Sequence, residues 1–349
     1  MNFFISIFKK RVTYQKFLKY VAFFSISLLL LCGLVNYVVD PLWIFNHNNK
    51  LNSKQLSFNE RQQKTNYLYF NKIKYDNVLI GSSRTTYINP NAFSTLGKTF
   101  NYAVNGLLPY EYKVLLDNFN VINGSEPKYI ILGLDFFSTN KNRNKTKNEI
   151  NYIENTLSPL YPLEGLFNGD SLKYSFRTLK IQSKTKKAYY DRFNIKYIDK
   201  FDKNIIEKKV KVGFSIENQK NYVYDDKLKD EYLLLKKRYQ HSKFIIFITP
   251  VIMDGLSKYK EADLNKYYFL WLNELIEVFG EVHTFMYPNS VTTDIYNFFD
   301  PSHFFPDVGD KIASSIVLNR NINSDFGIKL NKDNINWFID KYSNFEYQK

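Results

Sequence analysis

The sequence predicts an α/β domain in which a parallel sheet of five strands is covered by helices on both faces, preceded by one transmembrane helix. Three observations predict this class. Short apolar segments alternate with segments of helical apolar spacing, which favours a parallel sheet between layers of helices. Each apolar segment ends at a glycine, a proline or a polar residue. An uncharged stretch long enough to span a membrane precedes them all.

The alternation assigns the elements in order along the chain. The predicted strands are 78–80, 99–104, 128–134, 243–250 and 281–287, and the predicted helices are 110–120, 226–239, 262–279 and 306–317. Residues 138–225 interrupt the alternation, because they are rich in lysine and asparagine and show no regular period. We expect a partly helical insertion there, which forms either a lid or substrate surface or simply a solvated face.

The N-terminal part of the chain predicts a membrane anchor. Residues 1–19 are basic, and residues 20–39 carry no formal charge, so they just span a hydrocarbon core of about 30 Å. The positive-inside rule places the N-terminus in the cytoplasm and the rest outside a cell membrane crossed once. The predicted division is a cytoplasmic segment 1–19, a transmembrane helix 20–39, a linker 40–75 and a domain 76–349 that carries the insertion.

Composition excludes several classes of site. The net charge of +14 suits anionic lipids or an anionic polymer, but no zinc spacing or RNA-binding motif accompanies it, so nucleic acid is not an expected partner. Cys32 is the only cysteine, which excludes an internal disulfide. The four histidines (His47, His241, His283 and His303) are too scattered for a metal motif. We predict no metal and no cofactor.

The ends of the predicted strands carry the residues with chemical potential. They are Ser82 and Ser83, then Asn105 and Gly106, then Asp135, and finally Asp300 and His303. In a parallel sheet these ends meet at one edge, where open α/β sheets place their ligands. A serine becomes a nucleophile when an imidazole takes its proton and an acid orients the imidazole. The sequence therefore predicts a serine site with His303 as base and Asp300 as its partner.

Four short motifs occur in a fixed order: GSS at 81–83, Gly106, GLD at 133–135 and DPSH at 300–303. This ordered set resembles the SGNH, or GDSL-like, hydrolase superfamily. It is especially similar to the membrane-anchored bacterial branch of polysaccharide acyltransferases and esterases, which includes the D-alanine transfer protein of teichoic acids. The resemblance implies a three-layer α/β/α sandwich of flavodoxin-like type.

The resemblance also implies roles for particular residues. The catalytic residues would be Ser83, His303 and Asp300; the oxyanion hole would involve Ser83, Gly106 and Asp135; and substrate binding would involve Ser82, Arg84 and Asn105. Two positions depart from the family pattern. Ser82 stands where the family has aspartate, which leaves open which serine attacks. Asp135 stands where an asparagine donates to the oxyanion, and an ionised carboxylate cannot donate.

The implied function is an extracytoplasmic serine O-acyltransferase or esterase that acts on acyl groups, chiefly acetyl groups, of a cell-surface polysaccharide. A multi-span membrane acyltransferase would be the acyl donor. Asp135 leaves three possibilities: it is protonated, it orients another donor such as Arg84 or Asn105, or the activity has changed. The alternative function is therefore an inactive scaffold that binds glycan within a polysaccharide assembly or modification complex.

Overall fold

The computed structural model describes residues 14–143, 152–183, 188–216, 221–318, 325–343 and 345. Most of the predicted basic segment 1–19 lies outside the described residues. The helices are α1 Tyr14–Val39, α2 Glu60–Phe70, α3 Pro109–Asn123, α4 Tyr152–Leu157, α5 Tyr161–Leu166, α6 Gly169–Ile181, α7 Lys203–Val210, α8 Leu228–Arg238, α9 Met253–Glu261, α10 Asn265–Phe279, α11 Pro306–Val317 and α12 Ile335–Ser343. The strands are β1 Asn77–Gly81, β2 Thr99–Asn101, β3 Tyr129–Leu134, β4 Tyr189–Tyr190, β5 Lys196–Tyr197, β6 Lys243–Ile248, β7 Glu281–Thr284, β8 Phe298–Asp300, β9 His303–Phe304 and β10 Ile328–Asn331.

The centre of the molecule is a sheet of six strands in the order β2-β1-β3-β6-β7-β10. All neighbouring pairs are parallel except β7 with β10. The α/β class and the mostly parallel sheet predicted from the sequence are therefore confirmed. Chain order reverses beside β1, since β2 lies on one side of it and β3 on the other. A crevice at such a reversal is the usual ligand site of an open α/β sheet.

The prediction of five strands is wrong, because β10 adds a sixth at the edge of the sheet. Ile328 and Leu330 are buried, whereas Lys329 and Asn331 between and after them are only partly buried. This edge strand has just four residues and alternates apolar with polar side chains. It lacks the continuous apolar run by which the central parallel strands were recognised.

The strands at the centre of the sheet leave no room for side chains where β1 meets β3. Gly81 pairs with Gly133, and every residue of β1 is buried. A Cβ on Gly81 would clash with Thr85 and lie 2.8 Å from the carbonyl oxygen of Gly133. The two glycines thus let the turn after β1 fold back closely over the ends of the strands.

Helix α1 is, among the described residues, the one helix long and apolar enough to cross a membrane. Most of its side chains are exposed, but Gly33, Asn36 and Val39 are buried near its C-terminal end. Gly33 and Asn36 contact residues of α5 and α6 and of the turn between these helices. Helix α1 is therefore attached directly to the domain.

The segment 40–75, predicted to be a linker, contributes to the core. Its helix α2 buries Gln63, Lys64 and Asn66. The Gln63 amide donates to the carbonyl of Pro41 at 2.8 Å, and the Asn66 amide donates to that of Leu42 at 2.8 Å. The polar side chains of α2 are therefore buried because they satisfy backbone groups of the preceding segment.

The insertion 138–225 contains α4 to α7 and the hairpin β4-β5 in its described parts. Residues 144–151, 184–187 and 217–220 lie outside the described residues. The hairpin pairs with the segment before α2, since Gln55 and Tyr190 exchange backbone hydrogen bonds of 2.7 and 2.8 Å. The insertion therefore packs against both α1 and the segment that follows it.

We predict that Gly81→Ala destabilises the protein, because the added methyl group meets Thr85 and the backbone of β3. Overpacking of this kind costs about 1–3 kcal/mol. The matched control is Gly169→Ala, where a Cβ meets nothing within 4 Å, and the free energy of unfolding should change by less than about 0.5 kcal/mol. Chemical unfolding of the detergent-solubilised chain measures both. Equal stability of the two variants would contradict the packing described for β1.

Candidate functional site

The two serines after β1 occupy different environments. Ser82 is buried, and its hydroxyl oxygen accepts a 3.4 Å hydrogen bond from the amide of Arg84. Ser83 is only partly buried. Of the two hydroxyl groups, that of Ser83 is the one accessible to a substrate.

Ser83 forms a hydrogen-bonded chain with His303 and Asp300. Its Oγ lies 2.9 Å from Nε2 of His303, and Nδ1 of that ring lies 3.0 Å from both carboxylate oxygens of Asp300. These contacts are all satisfied when Nδ1 carries the proton and Nε2 accepts from the serine. This arrangement of serine, imidazole and carboxylate is the one that activates a serine for nucleophilic attack.

A tight hairpin orients His303. Strands β8 and β9 place Asp300 opposite His303, although the sequence analysis assigned no strand to these residues. The amides of Ser302 and His303 donate to Oδ1 of Asp300 at 2.8 and 2.9 Å. Burial would raise the pKa of Asp300, but the hydrogen bond and charge of His303 and these amides hold that pKa below its usual value. Asp300 is therefore ionised at neutral pH.

Two aromatic rings also hold the imidazole in place. The Phe299 ring stacks on that of His303, with the centroids 5.6 Å apart and the planes 8° from parallel. The Tyr87 ring meets the imidazole edge to face at 6.2 Å. These two contacts restrict rotation of the His303 ring, so its Nε2 stays directed toward Oγ of Ser83.

The turn after β2 lies beside the turn that carries Ser83. The amide of Val104 donates to the carbonyl of Gly81 at 3.0 Å, which keeps the two segments side by side beyond the strands. Asn105 and Gly106 follow and are exposed. Gly106 has φ of 63°, a left-handed conformation that glycine adopts without strain. The backbone amides of Ser83 and Gly106 are therefore candidates to stabilise an oxyanion.

Helix α2 holds both polar groups of the Asn105 backbone. The Asn105 amide donates to Oε2 of Glu60 at 2.6 Å, and its carbonyl accepts from Nη1 of Arg61 at 3.0 Å. Arg61 is in turn bound to Glu111 through two hydrogen bonds of 2.7 and 2.8 Å. The peptide that leads to Gly106 is thus oriented by residues of the predicted linker, which sequence reasoning did not select.

Glu60 connects the same turn to Ser83 through the insertion. Its Oε1 accepts from Nζ of Lys196 at 3.0 Å, and this ammonium also donates to the hydroxyl of Thr86 at 3.0 Å. The Thr86 hydroxyl donates to the carbonyl of Ser83 at 2.5 Å. Although burial would raise the pKa of Glu60, the charges of Lys196 and Lys64 and the hydrogen bonds it accepts keep that pKa below its usual value.

Arg84 and Asp135 form a buried ion pair beneath the site. Nη1 of Arg84 donates to Oδ1 of Asp135 at 2.9 Å, and Thr249 donates to the same oxygen. Nε of Arg84 donates to the carbonyl of Ser302 at 2.7 Å. Asp135 is thus an acceptor for protein groups, which differs from the donor role that the resemblance implies. The Arg84 side chain is buried and occupied by protein partners rather than directed toward solvent.

The described residues contain no group of three or more histidine, cysteine, aspartate or glutamate side chains that could hold a metal ion. Comparisons of the chain with models of known protein families, with curated proteins and with solved structures find no match. The chemistry of the site is therefore inferred from its geometry.

We predict that Glu60→Gln destabilises the protein, because Lys196 then stays buried without its counter-charge. Removing one partner of a buried ion pair costs about 3–5 kcal/mol. The matched control is Asp226→Asn, which breaks the exposed ion pair with Lys141 and should leave the unfolding midpoint unchanged. Thermal unfolding in detergent compares the two. If Glu60→Gln unfolds at the wild-type temperature, the buried network does not hold the turn.

The effect of Glu60 should depend on pH in a defined direction. Because folding lowers the pKa of Glu60, its contribution to stability is fully present above the usual carboxyl pKa of about 4.3 and is lost as the pH falls through the folded value. We therefore expect the stability difference between wild type and Glu60→Gln to shrink in acid. Unfolding measured at neutral pH and in increasingly acidic buffers tests this. A difference that grows in acid would contradict the assignment.

Proposed function

We propose that this chain is a single-pass membrane protein whose extracytoplasmic domain, a three-layer SGNH-like sandwich, transfers or hydrolyses acyl groups of a cell-surface polysaccharide. The observation that carries the proposal is the hydrogen-bonded series of Ser83, which follows the parallel strand β1, with His303 and Asp300, which lie in the hairpin β8-β9. The order of the four motifs along the chain supports the same superfamily.

The proposed reaction proceeds through an acyl-enzyme. Nε2 of His303 takes the proton of Ser83 as its Oγ bonds to the acyl carbonyl carbon, and the amides of Ser83 and Gly106 bind the resulting oxyanion. The tetrahedral intermediate collapses, the ester bond to the donor oxygen breaks, and His303 returns the proton to that oxygen. The acceptor hydroxyl then loses its proton to Nε2 of His303 as its oxygen bonds to the acyl carbon. The bond from that carbon to Oγ of Ser83 breaks, and His303 returns the proton to Oγ, which regenerates the free serine. Water as the acceptor gives an esterase, and a sugar hydroxyl gives a transferase.

Asp135 lowers the expected rate of this reaction. Its carboxylate accepts from Arg84 and Thr249, so the side-chain donor of the superfamily is not supplied from this position. Loss of one oxyanion donor typically lowers kcat by about 10²–10³. The proposed enzyme therefore acts slowly on simple esters. An activated acyl donor, supplied by a multi-span membrane acyltransferase, would compensate for this.

The proposed location rests on the charge around α1. The basic residues precede the apolar stretch, so the positive-inside rule directs the N-terminus to the cytoplasm and the sheet to the outside of the cell membrane. A surface glycan is accessible from that side. The proposed chemistry requires no cofactor, since the serine, imidazole and carboxylate supply the nucleophile and the proton transfers.

We expect wild-type protein to react with a serine-directed fluorophosphonate and Ser83→Ala to remain unlabelled. Ser82→Ala should still label, because the hydroxyl of Ser82 is buried and makes no contact with the imidazole among the hydrogen bonds of the described residues. Labelling is read by gel fluorescence and by peptide mapping. Labelling of Ser83→Ala at the wild-type rate would exclude Ser83 as the nucleophile.

We expect Asp300→Asn to abolish most activity without unfolding the protein. The asparagine amide would donate to Nδ1 of His303 and place the ring proton on Nε2, where it cannot accept from Ser83. The same change in a serine triad lowers kcat by about 10⁴. Hydrolysis of p-nitrophenyl acetate measures the loss, and thermal unfolding serves as the control for folding. If Asp300→Asn hydrolyses the ester at the wild-type rate, Asp300 does not determine the tautomer of His303.

The second candidate function is an inactive glycan-binding scaffold of a polysaccharide assembly or modification complex. The observation that favours it is the acceptor role of Asp135, which removes one expected donor from the oxyanion site. In a deletion strain, Ser83→Ala would restore acylation of the glycan if the chain is a scaffold. The enzymatic proposal requires that it does not.

A further inference from the structure

The insertion presents an unusually apolar surface beside α1. Residues 157–176, here called the shoulder, cover the end of α4, all of α5 and the first half of α6. Its Leu160, Leu163 and Phe176 side chains are 61%, 52% and 53% exposed, and Leu157 and Phe167 are also exposed. Exposed apolar side chains clustered within twenty residues mark a surface that contacts another apolar phase.

The shoulder contacts α1 at Gly33, which precedes the C-terminal end of the apolar stretch of that helix. The Phe167 ring lies 2.8 Å from the position that a Cβ on Gly33 would occupy. Gly33 precedes Val39 by six residues, which is about 9 Å along a helix. Phe167 therefore reaches back toward the part of α1 that spans the membrane.

Hydrogen bonds fix the height of the shoulder along α1. The buried amide of Asn36 donates to the carbonyl of Leu166 at 2.8 Å, and its oxygen accepts from the hydroxyl of Ser175 at 2.8 Å. Because the Asn36 side chain binds both Leu166, before α6, and Ser175, within α6, the first half of α6 stays near the level of Asn36. That level is about 4.5 Å from the end of α1.

The surface chemistry of α6 selects an apolar partner over a charged one. Leu172, Phe176 and Leu179 follow the spacing of one helical face. Basic side chains occur on the same helix, but Lys173 is paired with Asp170 at 2.9 Å and Arg177 lies over the Phe58 ring at 5.1 Å. The third, Lys180, lies beyond the shoulder in the last turn of the helix. The shoulder therefore offers apolar area at a defined depth rather than an unpaired positive patch.

We infer that the shoulder is a second membrane contact, which inserts its exposed leucine and phenylalanine side chains into the outer boundary of the bilayer that α1 crosses. Interfacial helices bury their apolar side chains about 5–10 Å into this boundary, and the offset between Phe167 and Val39 matches that depth. The occupant is lipid, because the shoulder packs directly against α1, an apolar helix whose side chains are mostly exposed, and this assignment rests on the proposed crossing of the membrane by α1. This contact holds the domain at one height above the membrane.

The inference is tested with single labels on the full-length chain in vesicles of phosphatidylcholine. Cys32→Ser removes the only native cysteine, and a cysteine is then introduced as Leu163→Cys or Phe176→Cys and labelled with a fluorophore. Both positions are exposed, so the substitutions leave the packing intact. The matched control is Leu234→Cys on α8, which is also an exposed leucine but lies on a helix that packs against α3 and α10, whereas the shoulder packs against α1.

We expect phosphatidylcholine that carries a nitroxide on its acyl chain to lower the fluorescence at positions 163 and 176 by about twofold or more, as for side chains inserted at the interface. The label at position 234 should change little. Equal quenching at all three positions, or none at 163 and 176, would overturn the inference. Thiol cross-linking of two chains through position 163, without quenching, would instead assign the shoulder to a contact between copies.

Discussion

The site depends on the buried ion pair between Arg84 and Asp135. The side chains are 5% and 2% exposed, so each charge would be costly to leave without its partner. Arg84 follows β1, Asp135 follows β3, and Thr249, which donates to Asp135, follows β6. The same guanidinium donates to the carbonyl of Ser302 in the hairpin that carries His303. One interaction thus joins three strand ends to the hairpin that carries His303.

This ion pair also gives a physical reason for the unusual aspartate. A buried guanidinium next to Ser83 requires a counter-charge, and an asparagine at position 135 would leave it unpaired. The Asp135 carboxylate therefore holds Arg84, and Arg84 fixes the position of His303 through the carbonyl of Ser302. That carboxylate does not donate a hydrogen bond to an oxyanion. The proposed site therefore lacks one hydrogen-bond donor to the oxyanion. Its proposed base, His303, is held in place by the charge-assisted hydrogen bonds of Arg84.

A second buried network links the site to the segment that follows α1. Glu60 lies on helix α2, and it binds both the Asn105 amide and Lys196 of the insertion. Through Thr86 this network reaches the backbone of Ser83. The insertion and the segment after α1 are therefore structural supports of the site, and a change in either should alter its geometry.

The parts of the molecule with local signals were predictable from the sequence. The apolar runs of the central strands and the close pair Asp300 and His303 are visible without a structure. The edge strand Ile328–Asn331 was missed, because four residues with alternating polarity resemble a loop. Glu60 and Lys196 could not be selected either, since they lie 136 positions apart and acquire a shared role only when the hairpin packs on α2. Thr249 likewise gains its role only through Asp135.

The most direct test of the account is the structure of the full-length chain after reaction with a small fluorophosphonate. The account predicts a phosphorus atom bonded to Oγ of Ser83, with a phosphoryl oxygen that accepts from the amides of Ser83 and Gly106 while Arg84 remains paired with Asp135. Phosphonylation at another residue would contradict it. So would an adduct on Ser83 whose oxygen is bound by Arg84 released from Asp135.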